Sequence, residues 1–305
     1  MDVLARVAPF FLLIAFGAVA ARTKLLDLGG ARALSTYVFW IAFPALLIHS
    51  LSHAPPPDVL LARGLAVYAL VALVPLLAIP LLGRALGWSR EARAGSAAAA
   101  ISSNTPFLGA PLAVSLFGAA AAPSAAALIA IDCSLTLILS TAMLRSAAPG
   151  GTGAQMARLI ATHPLILSAL LGVGMAYAGV LAPGPVDQTL GILSVTASPV
   201  GLVALGVVMG LELGKIDAAD AVPAFTAVAV KLLLMPALVW FATGLAGADP
   251  LFRATATLVA GSPVAVMVFI QTRTLNVFAR GGAIAVVFST LAAVATLTLL
   301  GLTLR

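Results

Sequence analysis

The sequence predicts an all-α polytopic membrane protein of ten transmembrane helices, built as two inverted five-helix repeats whose fourth and ninth spans are broken and cross. Three observations predict it: the hydropathy, the register of the prolines, and two hydroxyl-proline pairs set inside apolar stretches. Hydrophobic residues make up 62% of the chain and charged residues 9%, with a mean hydropathy of +1.15. A span needs about 20 mainly apolar residues. Charges, Gly and Pro divide the chain into segments near residues 3–21, 33–53, 60–83, 94–118, 122–144, 159–181, 189–211, 222–246, 253–272 and 282–304. Almost nothing is left for a soluble domain.

The prolines carry the repeat. Pro44 and Pro199 are 155 residues apart, Pro80 and Pro236 are 156 apart, and Pro106 and Pro263 are 157 apart. The predicted units are therefore residues 1–147, a short cytoplasmic linker at 148–157, and residues 158–305. Five spans is an odd number, so the second unit inserts upside down relative to the first. Inverted repeats are a transporter signature.

The first span begins Met-Asp and lacks the basic start of a signal peptide, so it reads as retained. Basic residues fall mainly on one side of the expected topology: Arg22, Lys24, Arg32, Arg84, Arg90, Arg93, Arg145, Arg158, Lys215, Arg273 and Arg280, against Arg63, Arg253 and Arg305. The positive-inside rule puts the first set in the cytoplasm and both termini outside it. That accounts for the net charge of +6 without nucleic acid, for which there is no basic stripe with interleaved aromatics.

The breaks are Thr105-Pro106 and Ser262-Pro263. A freed backbone group in hydrocarbon must find a partner, so such breaks face protein or a cavity. A hydroxyl residue followed by Pro also reads as a helix start, with the hydroxyl as N-cap and Pro at the first helical position. Two facing helix starts offer unpaired N–H groups and partial positive charge, which suit a carboxylate or other small anion. The candidate substrate-binding residues are Ser102, Ser103, Asn104, Thr105 and Pro106 at the first break, and Ser262, Pro263 and Gln271 at and beyond the second. The competing reading of each hydroxyl is a bond back to its own helix.

Asp132 and Lys231 fall deep within predicted spans, where a lone charge costs on the order of 3 kcal/mol. They are expected to face the interior, water or each other. Asp132 is the candidate ion-coupling residue, for H+ or Na+, with a structural pairing to Lys231 as the alternative. Cys133, the single cysteine, excludes an intrachain disulfide and a Cys-based metal cluster. His49 and His53 stand four apart on one helical face, but no third ligand is near them in sequence, and His163 stands alone. No metal site or cofactor is expected. There is no Gly-Xaa-Ser-Xaa-Gly elbow and no phosphate loop, so neither a hydrolase nor an ATP-driven pump is supported.

The motifs Phe43-Pro44-Ala45-Leu46-Leu47, Asn104-Thr105-Pro106-Phe107-Leu108-Gly109-Ala110-Pro111, Leu232-Leu233-Leu234-Met235-Pro236 and Pro263-Val264-Ala265 resemble, in order and spacing, the auxin efflux carrier family, which includes bacterial members linked to malonate. The resemblance covers nearly the whole chain. It implies ten helices in two inverted repeats crossing at the proline breaks, as in the bile acid and sodium symporters, and a place in the bacterial inner membrane. This chain departs from the plant carriers' Asn-Pro-Asn-Thr-Tyr motif, having Asn104-Thr105-Pro106-Phe107. Met267 stands where many relatives have Asn, and the long cytoplasmic loop of plant carriers is replaced by a short stretch at 148–153.

The expected function is secondary active transport of a small organic anion, a mono- or dicarboxylate, coupled to protons. A sodium-coupled carrier or a facilitator of another solute is the alternative, separated by the sodium dependence of flux. A membrane sensor or embedded enzyme is disfavoured, because neither an output domain nor a catalytic cluster is present. Small-residue runs such as Ala97–Ala100 could pack helices within one protomer or between two in a homodimer.

Overall fold

The computed structural model describes residues 2–54, 56, 58–148, 162, 164–212 and 218–304. Most of the expected linker, together with Arg158, His163, Lys215 and Arg305, lies outside the described residues. The helices are α1 (Asp2–Arg22), α2 (Leu28–Tyr37), α3 (Phe43–Ser52), α4 (Val59–Ala85), α5 (Arg90–Ile101), α6 (Ala110–Phe117), α7 (Ala122–Ala147), α8 (Pro164–Ala178), α9 (Gly184–Glu212), α10 (Ala218–Ala229), α11 (Met235–Leu245), α12 (Pro250–Ala260), α13 (Val266–Thr274) and α14 (Ala279–Thr303). Three π-helical turns, Val38–Ala42, Thr105–Gly109 and Val230–Leu234, run directly into α3, α6 and α11. Two of them precede a proline, Pro44 and Pro236, and the third contains Pro106. Proline removes an i→i−4 bond and crowds the preceding turn, and a widened turn relieves that crowding.

This is a polytopic membrane protein. Seven helical stretches among the described residues are long and apolar enough to cross a bilayer: Val3–Arg22, Leu28–Ser52, Val59–Ala85, Ala119–Ala147, Gly184–Leu211, Asp220–Leu245 and Ala279–Thr303. The sequence predicts ten. The two broken stretches are each divided into pieces too short to qualify alone, and α8, at 15 residues, follows residues that are not described. The solvation pattern is that of a bilayer protein, with Phe16, Leu77, Phe241 and Leu299 exposed while Asp132, Lys231 and Asn104 are buried.

Side-chain caps fix the helix starts. Asp27 accepts from Gly30 N–H at 2.8 Å, and Asp58 from Leu61 N–H at 2.7 Å. Both broken stretches begin on the same device. α4 ends with Gly87 at φ +71, and Ser89 then accepts from Ala92 N–H at 3.1 Å to open α5. α11 ends with Gly247 at φ +66, and Asp249 then accepts from Leu251 and Phe252 N–H to open α12. The left-handed glycine lets the chain reverse after one helix, and the cap two residues later starts the next.

α1 packs along α9, and α3 along α8. The α1–α9 contact depends on bare backbone. A Cβ on Gly206 would lie 2.0 Å from the Ile14 carbonyl oxygen, and one on Gly17 would lie 2.1 Å from that of Val203. Small residues allow this approach in a membrane, where dispersion rather than the hydrophobic effect drives association. Gly206→Val is therefore expected to destabilise the protein by about 3 kcal/mol, the upper range for overpacking. Gly174→Ala, whose Cβ would meet nothing within 4 Å, is the neutral control. Thermal melts of the two variants in detergent check this, and equal melting temperatures would refute it.

Candidate functional site

The first broken stretch leaves helical geometry at Ser102 (φ −90, ψ 105), runs extended to Asn104, and resumes as the π-helical turn at Thr105. The second leaves α12 at Gly261 and resumes at Val266. The two extended segments lie antiparallel and pair as a single β-bridge between Ser103 and Val264. Asn104 N–H donates to Pro263 O at 2.8 Å, and Ala265 N–H to Ser102 O at 2.9 Å. Ser289 on α14 accepts from Val264 N–H at 2.9 Å. The backbone groups released by each break are thus satisfied largely by the other break, which makes irregular backbone tolerable inside a membrane.

The hydroxyls do not cap as the sequence suggests. Ser262 Oγ donates back to Leu258 O at 3.4 Å within its own helix, Pro263 lies in the extended crossing, and α13 starts three residues later with Ala265 at its N-cap position. Thr105 turns away from its helix and donates to Asp132 Oδ2 on α7. A carboxylate is a stronger acceptor than a peptide group offers as an alternative, so the hydroxyl goes to the buried charge.

Asp132 and Lys231 do not form a direct ion pair within 4 Å. Lys231 Nζ donates to Ser103 Oγ and to Ala260 O, both at 2.5 Å, so the ammonium sits on the C-terminal carbonyl end of α12, where the helix dipole favours a cation. Tyr68 on α4 bridges the remainder, its hydroxyl hydrogen-bonded with Ser103 and Asp132. The result is a buried chain from Lys231 through Ser103, Tyr68 and Asp132 to Thr105, touching both breaks and three further helices. Composition gave no hint of Tyr68. The signal available was a lone phenol in an otherwise aliphatic span.

Asn104 is treated differently. It is 1% exposed, yet neither its side-chain oxygen nor its nitrogen has a partner. Burying an amide without hydrogen bonds costs roughly 1–3 kcal/mol by protein mutational data, so the group points to a ligand. It lines a cavity of about 40 Å³ together with Ser102, Ser103, Pro106, Thr136 and the first turn of α13. Three rings wall the cavity: Phe43 stacks on Phe107 at 4.7 Å, and Phe39 meets both edge-on. In the first turn of α13 Val268 N–H donates to Ala265 O at 3.0 Å, and the N–H groups of Val266 and Met267 lack intrahelical partners by geometry. A second cavity of about 290 Å³ shares Phe39, Val266 and Met267 with the first and carries Arg32 and Arg273 on its wall.

Ser102, Ser103, Asn104 and Pro106 therefore meet at one cavity, while Ser102 Oγ also bonds back to Ala98 O. Ser262 lies beneath the crossing, packed so closely on Gly109 that a Cβ there would sit 2.3 Å from its oxygen. Gln271 stands apart, its amide bound to Ser140 and Thr141 at 3.0 and 2.8 Å, so it fastens α13 to α7.

The chain matches the family described as "Membrane transport protein" over residues 2–156 and 152–301. The chain belongs to the membrane transport protein family. This is the auxin efflux carrier family that its crossing motifs resemble. A similar protein, 32% identical over 308 residues that cover 96% of this chain and 92% of the relative, is the "Putative malonate transporter" of Rhizobium meliloti (strain 1021). The buried crossing with its orphaned amide thus belongs to a membrane transporter.

Proposed function

We propose that this transporter carries a small carboxylate of the malonate class by alternating access, driven by protons, with the substrate held at the crossing. The carrying observation is the unpartnered amide of Asn104 beside the first turn of α13. An amide NH₂ and a helix N-terminus both donate toward an anion, and a carboxylate accepts from both. The relative named for malonate supports the substrate class. Arg32 and Arg273 on the wider cavity give an approaching anion a positive route to the site.

Ten spans in two inverted repeats remain our reading of the architecture, with 1–147 and 158–305 as the units. It is supported by packing that is preserved when the halves are exchanged. α1 on α9 answers α8 on α3, α4 on α5 answers α11 on α12, and α7 on α12 answers α14 on α5. The matched Gly87 and Gly247 turns add to it. In this reading the basic loops face the cytoplasm, and the bundle carrying the crossing moves against the remainder.

Purified protein in proteoliposomes, given radiolabelled malonate and a panel of other carboxylates under imposed proton or sodium gradients, tests the proposal. Proton-driven malonate uptake is the expected result. Uptake that follows sodium alone would reassign the coupling ion, and no carboxylate flux from folded protein would reject the substrate class.

A further inference from the structure

We propose a divalent-metal site of the zinc class at the end of α3, formed by His49, His53 and Asp187. It is independent of the transport reading and lies at the opposite end of the α2–α3 stretch from Arg32. His49 and His53, one helical turn apart, bring their rings to 4.4 Å between centroids. Asp187 comes from the first turn of α9, 138 residues from His49. One ligand atom from each of the three residues lies within 4.8 Å of the others.

Two features suit a cation at the centre of this cluster. His53 Nδ1 lies 2.7 Å from the His49 carbonyl oxygen, which can only accept, so Nδ1 carries the hydrogen. In the neutral ring Nε2 then holds a lone pair, and it faces Asp187 Oδ2 at 3.4 Å. Two lone pairs directed at each other call for a positive charge between them, which a proton on Nε2 supplies to this one contact and a metal ion supplies to both histidines and the carboxylate at once. Backbone anchoring of one ring nitrogen, with the other left for metal, is also how metal-binding histidines are oriented.

Two of the spacings, each to a different oxygen of the carboxylate, are close to those between ligands of one metal. His49 Nδ1 and Asp187 Oδ1 are 3.1 Å apart, and His53 Nε2 and Asp187 Oδ2 are 3.4 Å apart. Tetrahedral zinc with bonds of about 2.0–2.1 Å separates its ligands by roughly 3.3 Å. Two imidazoles and one carboxylate suit zinc and its neighbours in the first row. The side chain of His53 is 40% exposed, so metal can enter and water can take the fourth position. Bound metal would fasten α3, which begins at the cavity-lining Phe43, to α9.

Chelator-stripped full-length protein in detergent, titrated with Zn²⁺ and separately with Co²⁺, tests this. One Zn²⁺ per chain by calorimetry and elemental analysis is expected, with a Co²⁺ visible spectrum of four-coordinate intensity. Zinc should also raise the melting temperature of the stripped protein. Asp187→Asn and the more exposed His53→Gln should each weaken zinc binding by at least ~10-fold, while eluting as wild type in chelator. An absence of stoichiometric binding to wild type, or equal binding to wild type and His53→Gln, would overturn the site and leave a histidine-aspartate ion pair.

Discussion

Asn104→Ala is expected to reduce carboxylate uptake by roughly 10- to 100-fold at substrate concentrations below the wild-type affinity, while the protein folds and melts at or above the wild-type temperature. The two halves of this expectation have one cause. The Asn104 side chain has no partner within the protein, so removing it takes no bond from the fold and relieves a buried, unsatisfied amide. In the loaded protein the same amide would donate to a carboxylate. A hydrogen bond to a charged group contributes about 1.5–3 kcal/mol, which is on the order of 10- to 100-fold in affinity. A residue serving only the fold would give the reverse pattern, with lower stability and intact binding. Malonate binding by calorimetry, beside a melting curve for each protein, separates the two. Unchanged affinity in the variant would sink the site.

The relation between sequence and site can be followed residue by residue. Both breaks are visible in the chain because proline in an apolar run is a local signal, and Ser102–Thr105 stands out because four consecutive polar residues are rare in such a chain. Where each hydroxyl points is a tertiary matter. Thr105 precedes a proline and reads as a cap, but Asp132 is brought beside it from 27 residues away and takes its hydrogen. Gln271 reads as a ligand contact for the same reason that Asn104 does, a polar amide in a span. Only the fold separates them, by presenting Ser140 and Thr141 to one and a cavity to the other. Asp132 and Lys231 are both legible as interior charges, yet the chain gives no hint that Ser103 and Tyr68 stand between them. His49 and His53 have the spacing of a metal pair, and their third partner enters only when α9 is packed on α3. Local chemistry was readable, and the long-range pairings that assign each group its role were not.

Asp132→Asn is expected to abolish proton-driven accumulation while leaving malonate exchange across the membrane in place. The substitution keeps the side chain's shape and an oxygen to accept from Thr105, and removes the one thing exchange does not need, a group that can take up and release a proton. In the wild-type protein Thr105 connects that group to the residue next to Asn104, so protonation at α7 bears on the crossing directly through that hydrogen bond. One proton moved with each substrate down a gradient of one pH unit supplies about 1.4 kcal/mol, enough for roughly tenfold accumulation. In the variant the internal-to-external ratio should settle near unity under the same gradient, with counterflow of labelled for unlabelled malonate preserved. Tenfold accumulation by Asp132→Asn would move the coupling site elsewhere. Loss of exchange as well as accumulation, in protein that melts normally, would make Asp132 part of the binding site itself. The neighbouring Lys231 is held by Ser103 and the end of α12, through bonds that do not involve the Asp132 carboxylate. Neutralising the carboxylate removes a negative charge from beside the crossing. Removing that charge lessens the repulsion of an anion, and a proton on Asp132 favours substrate entry in the same way, which is the physical basis for moving the two together.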